Sequence, residues 1–196
     1  MITIVNTGVA NIASVKFAFE RLGRTTEVSS DPGVIQKSTH VILPGVGTAS
    51  ASIANLRKLK LDQLILSLSQ PVLGICLGMQ IMYEHSDEGD IECLGVFKGR
   101  VKKLQPESRL PIPHMGWNQV RKLRETSLLK DIPNDSHFYF VHSFRAHGGS
   151  EIVAESNYGG NIPAVIERGN WFGTQFHPER SGAVGAQVLK NFLSLS

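Results

Sequence analysis

Only two cysteines, Cys76 and Cys93, occur in the 196 residues, too few for a thiolate metal cluster of their own or for a disulfide framework. No apolar run approaches the roughly 20 residues of a membrane span. The opening residues, Met1 to Asn6, show no basic segment ahead of an apolar one and do not read as a signal peptide. Pro-rich tracts, Gly/Ser linkers, internal repeats and blocks of one charge are also missing, so nothing divides the chain. Lys and Arg exceed Asp and Glu by a net charge of +3, but they are scattered rather than gathered into a stripe, which argues against nucleic acid as a partner. The densest basic stretches, 98–103 and 121–124, read as solvated strand faces or as part of a protein interface. These absences lead to the expectation of one cytoplasmic domain over residues 1–196, with no metal, no cofactor, no nucleic acid and no membrane.

What is present is a hydrophobic fraction of 41%, enough for a substantial core, arranged in two patterns. Up to residue 75, short β-rich runs at 2–5, 25–29, 40–43 and 72–75 alternate with helical stretches at 12–22, 50–58 and 62–68. In the first of those helices Ile12, Val15, Phe19 and Leu22 share a face, and Gly23 ends it. Such a rhythm calls for a parallel sheet covered by helices on both sides. After Gly95, short strands crowd together at 99–104, 117–121, 138–141, 152–156, 164–167 and 171–176, and a helix with an apolar stripe closes the chain at 183–195. The predicted fold class is therefore α/β: an open, mostly parallel central sheet with helices on both faces and an additional smaller antiparallel portion.

Chemistry concentrates in two motifs. The strand at 72–75 runs into Gly74-Ile75-Cys76-Leu77-Gly78, in which small residues on either side of the cysteine allow a sharp strand-to-helix turn that lifts its side chain above the sheet. A helix that starts there aims free N–H groups at the sulfur, favouring the thiolate that acts as nucleophile. Cys93 lacks such a setting and reads as a small apolar residue. The second motif, Phe176-His177-Pro178-Glu179, ends a strand: His177 can move the proton, and Glu179 can hold the other imidazole nitrogen. His114 and His142 also sit in loop-like stretches, but neither has a carboxylate placed to orient it. For the oxyanion of acyl chemistry, the N–H of Leu77 is one donor. Pro44-Gly45-Val46-Gly47 is either the second donor or an ordinary turn ending the strand before it.

Together these motifs resemble the class I, triad glutamine amidotransferases over essentially the whole chain. Pro113-His114-Met115-Gly116-Trp117-Asn118 and Tyr139-Phe140-Val141-His142-Ser143 carry the resemblance further, toward the glutaminase subunits of imidazole glycerol phosphate synthases. The resemblance implies the amidotransferase fold, a catalytic Cys76, His177 and Glu179, and an oxyanion site from Leu77, Gly45 and Val46. It implies glutamine contacts at Gly47, Gln80, Glu88, Ser143 and Phe144. It also implies a heterodimer with a (β/α)8-barrel cyclase subunit that takes the ammonia and works in histidine biosynthesis, with Asn11, Met115, Trp117 and Arg180 near that partner. Arg180 stands where many family members have lysine. Competing readings are a glutaminase for another synthase, a stand-alone cysteine hydrolase, and a binding module that has lost its chemistry.

Overall fold

A computed structural model describes residues 1–8, 12–45, 47–105 and 110–196. The expected positions Asn11 and Val46 lie outside the described residues. Through the first half the chain runs β1 (Ile2–Val5), α1 (Ile12–Arg21), β2 (Thr26–Ser29), α2 (Pro32–Gln36), β3 (His40–Leu43), α3 (Ala49–Lys58), α4 (Leu61–Leu66), β4 (Val72–Ile75) and α5 (Leu77–Gln80). The second half adds β5 (Tyr83–Ser86), β6 (Ile91–Glu92), β7 (Phe97–Lys103), β8 (His114–Lys122), β9 (Ser136–His142), β10 (Phe144–His147), β11 (Ile152–Asn157), β12 (Asn161–Arg168), β13 (Trp171–Thr174) and α6 (Gly182–Leu193).

One nine-stranded sheet has the order β2-β1-β3-β4-β13-β12-β11-β8-β9. From β2 to β13 its neighbours pair in parallel, and from β13 to β9 they pair antiparallel. The antiparallel portion is thus continuous with the parallel one and as wide. A separate four-stranded sheet, β10-β7-β5-β6, lies beside it. Strands β5, β6 and β10 were not foreseen. Tyr83-Glu84-His85-Ser86 has no clean alternation, and β5 and β10 owe their strand conformation to pairing with β7.

Strand periodicity builds two cores. Ile2, Ile4, Ile42, Leu73 and Ile75 point to one face, where Val15 and Phe19 of α1 and Val188 and Phe192 of α6 cover them. Val5, Val41, Leu43 and Val72 point to the other, under Ile35, Ile53, Leu56 and Ile65 of α2 to α4. Each such side chain, fully buried, stabilises the fold by about 1.5–3 kcal/mol. Local signals start the helices: Asp31 accepts from the Val34 N–H (3.0 Å) with Pro32 next, and Thr48 accepts from the Ala51 N–H (3.3 Å). The strand expected at 171–176 stops at Thr174. Beyond it Gln175 still donates its N–H to Ala164 O at 2.9 Å, so the chain leaves the sheet gradually, carrying Gln175 and His177 over the carboxyl ends of β4 and β13.

Candidate active site

The turn after β4 is made by close approach. Gly74 and Gly78 face each other: a Cβ on Gly74 would lie 2.6 Å from the Gly78 carbonyl group, and one on Gly78 would lie 2.0 Å from Leu43 O. Neither glycine has a positive φ; that conformation falls on Cys76 itself, at φ 51° and ψ −106°. The glycines supply room, and the cysteine holds the strained backbone, at a cost of about 1–3 kcal/mol that strand pairing on both sides of β4 sustains. The Cys76 N–H donates to Thr174 O at 2.7 Å, tying the turn to β13. Helix α5 is a single turn, so its dipole is small, and what it offers the sulfur is the local N–H of Leu77, which has no intrahelical acceptor. Gly45 packs against the same backbone, where an added Cβ would sit 1.8 Å from Ile75 O and 2.6 Å from Leu77 N.

His177 is pinned through its backbone. Its N–H donates to Tyr139 O (2.9 Å), and its carbonyl accepts from the Ser181 hydroxyl (2.7 Å), which in turn accepts from the Tyr139 N–H (3.0 Å). Its Nδ1 lies 2.8 Å from Glu179 Oε1, both side chains being almost fully buried. A carboxylate only accepts, so Nδ1 carries a proton and Nε2 is turned the other way. Among the described residues, that buried Nε2 has no hydrogen-bond partner. Burial pulls the imidazole pKa down, but negative charge on Cys76 and the contact with Glu179 outweigh it and raise the pKa to about 10. With its pKa raised in this way, His177 is placed to give up a proton.

A pocket of ≈ 360 Å³ opens over these groups, within the usual range for small-ligand sites. It brings together Cys76, His177 and Glu179 with Leu77, Gly45 and Gly47 on one side. Gln80, Glu88, Ser143 and Phe144 also line it, with Arg180 at its edge. Glu88 uses one carboxylate oxygen to accept from the Ala49 N–H at 2.8 Å. Gln80 is turned inward: its amide nitrogen donates to Phe144 O (2.8 Å) and Gln175 Oε1 (3.0 Å), leaving only its own carbonyl for a ligand. Met115 and Trp117 line no part of the pocket. They stand on β8, 62% and 56% exposed, opposite Val141 and Tyr139. The Trp117 and Tyr139 rings meet edge to face at 6.1 Å, and the Arg180 guanidinium lies 5.4 Å from the Tyr139 ring. An apolar, aromatic patch with one cation therefore adjoins the pocket.

Sequence reasoning treated His114 and His142 as loop residues, but they are strand neighbours, at the start of β8 and the end of β9. Their ring nitrogens lie 3.0 Å apart, and acceptors fix their tautomers. Phe144 O can only accept, so His142 Nδ1 (2.8 Å) holds a proton and its Nε2 accepts from His114 Nδ1; His114 Nε2 then accepts from the Asn118 amide at 3.2 Å. Burial lowers His142 to about 3 and His114 to about 4, so both are neutral in the working range. Neither is available as a base near pH 7. Gln175, whose amide nitrogen is 3.6 Å from the Cys76 sulfur, was missed as well. Its parity with His177 beyond one strand is the single trace it leaves in the sequence.

No helix among the described residues is long and apolar enough to cross a membrane. No group of three or more His, Cys, Asp or Glu among them is placed to hold a metal ion. Residues 4–195 match the family described as "Glutamine amidotransferase class-I". The chain is 50% identical over 192 residues to a Haemophilus influenzae protein named imidazole glycerol phosphate synthase subunit HisH, covering 98% of this chain and 96% of that one. The protein of the same name from Yersinia pseudotuberculosis is 47% identical, with 99% of each covered. A crystal structure of a glutamine amidotransferase superposes with a TM-score of 0.75 at 16% identity, covering 98% and 96% of the two chains, a likeness of fold.

Proposed function

Because the chain belongs to the class-I glutamine amidotransferase family, we propose that it is the glutamine-hydrolysing subunit of an imidazole glycerol phosphate synthase, the enzyme whose subunit HisH its relatives over nearly full length are named as. It converts glutamine to glutamate and ammonia for histidine biosynthesis. The observation that carries the chemistry is the buried Nε2 of His177, turned from Glu179, without a hydrogen-bond partner among the described residues, and electrostatically paired with Cys76.

In the first half-reaction the Cys76 sulfur adds to the side-chain carbonyl carbon of glutamine, and the carbonyl oxygen becomes an oxyanion. The N–H of Leu77 receives that charge, with a second donor from the loop at Gly45 and Val46; one such donor is worth about 10²–10³ in rate. His177 hands its proton to the amide nitrogen, the C–N bond breaks, and ammonia leaves behind a thioester. The now neutral imidazole takes a proton from water as that water attacks the thioester. Collapse releases glutamate and restores the thiolate beside the imidazolium. Glu179 holds Nδ1 throughout. Gly47, Gln80, Glu88 and the backbone around Ser143 and Phe144 hold the glutamine.

The ammonia passes to a (β/α)8-barrel cyclase subunit docked as a heterodimer on the face bearing Met115, Trp117 and Arg180, with Asn11 near it. The chain is one domain over residues 1–196, working in the cytoplasm without a cofactor. Cys76→Ala is the test: the complex is expected to lose glutamine-dependent synthesis and to keep ammonia-dependent synthesis. Persistent glutamine-driven turnover in that variant would remove Cys76 as nucleophile.

A further inference from the structure

We propose that Gln175 is a further catalytic residue of this site, its carboxamide N–H donating to the Cys76 sulfur and stabilising the thiolate, with Gln80 as the residue that locks it in that orientation. The inference rests on the reading of Cys76 as nucleophile.

Which end of the Gln175 amide faces the sulfur follows from a chain of acceptors. Phe144 O can only accept, so the Gln80 amide within 2.8 Å of it presents its nitrogen there. The second hydrogen of that nitrogen reaches the Gln175 oxygen at 3.0 Å, which makes that atom the carbonyl end. Gln175 must then present its NH2 to Cys76 Sγ, at 3.6 Å. The Gln175 side chain is wholly buried, and its backbone N–H is tied to Ala164 O, so the donor does not swing away.

Two neutral groups thus compete over the sulfur. Val141 O, at 3.7 Å, accepts from the thiol and favours its protonated form. Gln175 donates and favours the thiolate, because a hydrogen bond to a charged acceptor is roughly twice as strong as one to a neutral acceptor. The titratable and charged groups around the sulfur are His177 with Glu179 after β13, Arg180 next to them, His142 at the end of β9, and Glu88 across the pocket. All remain when Gln175 is replaced. A donor held without reorganisation would act twice: in the resting thiolate, and again when the sulfur departs from the second tetrahedral intermediate.

The test compares Gln175→Met, which keeps the length and removes the donor, with Gln175→Leu, which removes the donor and adds no charge. The rate of carbamidomethylation of Cys76 by iodoacetamide is read by peptide mass mapping from pH 5 to pH 9 on the full chain. Cys93, whose thiol burial pushes up to about 11, is the slow internal reference. Both variants are expected to move the Cys76 profile toward higher pH by about one unit, a roughly tenfold slower reaction on its acid limb. The kcat/KM profile for glutamine should shift the same way. If Met does not fold, Leu decides together with Gln80→Met, which frees Gln175 to turn and must shift the profile in the same direction. A profile unchanged from wild type in folded variants with reduced turnover would mean that Gln175 only packs, and would overturn the proposal while leaving Cys76 in place. Glutamine hydrolysis surviving in Cys76→Ala would instead overturn the reading beneath it.

Discussion

The neutral pair His114 and His142 makes acid stability of this fold depend on two buried imidazoles. Their proton-ordered chain, Asn118 to His114 to His142 to Phe144 O, has no room for an added proton: a protonated His142 would set an N–H of Nε2 against the N–H of His114 Nδ1. Burial is the main cause of the depressed values, with the positive charges of His177 and Arg145 adding to it at His142, as would any proton on His114, against the contact with Phe144 O. Each group binds protons less readily folded than unfolded, where an imidazole titrates near 6.5. As pH falls below that, the unfolded chain takes up protons first. The stability contributed at neutral pH is therefore complete above about 6.5 and is lost progressively down to about 3 for His142 and about 4 for His114. Each proton taken up by the unfolded chain alone costs about 1.4 kcal/mol per pH unit, so His142 accounts for a loss of about 2 kcal/mol by pH 5, and His114 for no more than the same again. His177, raised to about 10, works in the opposite sense. Its contribution disappears as pH rises through 10 and grows slightly as pH falls past 6.5, a change shared by wild type and variant that cancels in their comparison. Urea denaturation at both pH values, followed by far-UV circular dichroism, is the assay. His142→Asn, which keeps a donor for Phe144 O and cannot titrate, is the comparison. Wild type should lose about 2 kcal/mol more than the variant on going from pH 7 to pH 5; parallel losses would refute the assignment of a buried neutral His142.

Other outcomes follow from the site and its scaffold. Glu179→Gln should lower glutamine turnover less than His177→Ala, because one change loosens the base and the other deletes it; equal losses in steady-state assays would contradict those roles. Gly78→Ala should destabilise the fold by about 3 kcal/mol, since the added methyl meets the backbone carbonyl of Leu43 at 2.0 Å, and should lower the melting temperature by about 6–12 °C. A melting curve unchanged within about 2 °C would show that α5 can move off β3 freely. Trp117→Ala should weaken binding of the cyclase at least about tenfold in titration calorimetry, with little change in the melting temperature of the isolated chain, because the ring is largely exposed before docking. Unaltered affinity would move the interface elsewhere.

Much of this molecule is written locally. Strand β4 entering Gly74-Ile75-Cys76-Leu77-Gly78, the helices marked by Val15 and Phe19 or by Val188 and Phe192, and the His177-Pro178-Glu179 turn all depend on neighbours a few residues away, and periodicity or spacing exposes them. The resemblance to class I amidotransferases rests on those same short motifs, and the match over residues 4–195 agrees with it. What tertiary structure decided lies between residues far apart in the chain. Strands β5 and β10 exist because β7 is there to pair with them, and the antiparallel strands extend the parallel sheet because β12 docks on β13. The close approach that excludes a side chain at Gly78 is to Leu43, 35 positions earlier, on a different strand. His114 and His142, 28 positions apart, become one neutral pair only through the β8–β9 register. Gln175 reaches a sulfur 99 positions earlier. Which amide end it offers is settled by Gln80 and the Phe144 carbonyl, since hydrogen-bond direction is a property of the assembled network and of no single segment.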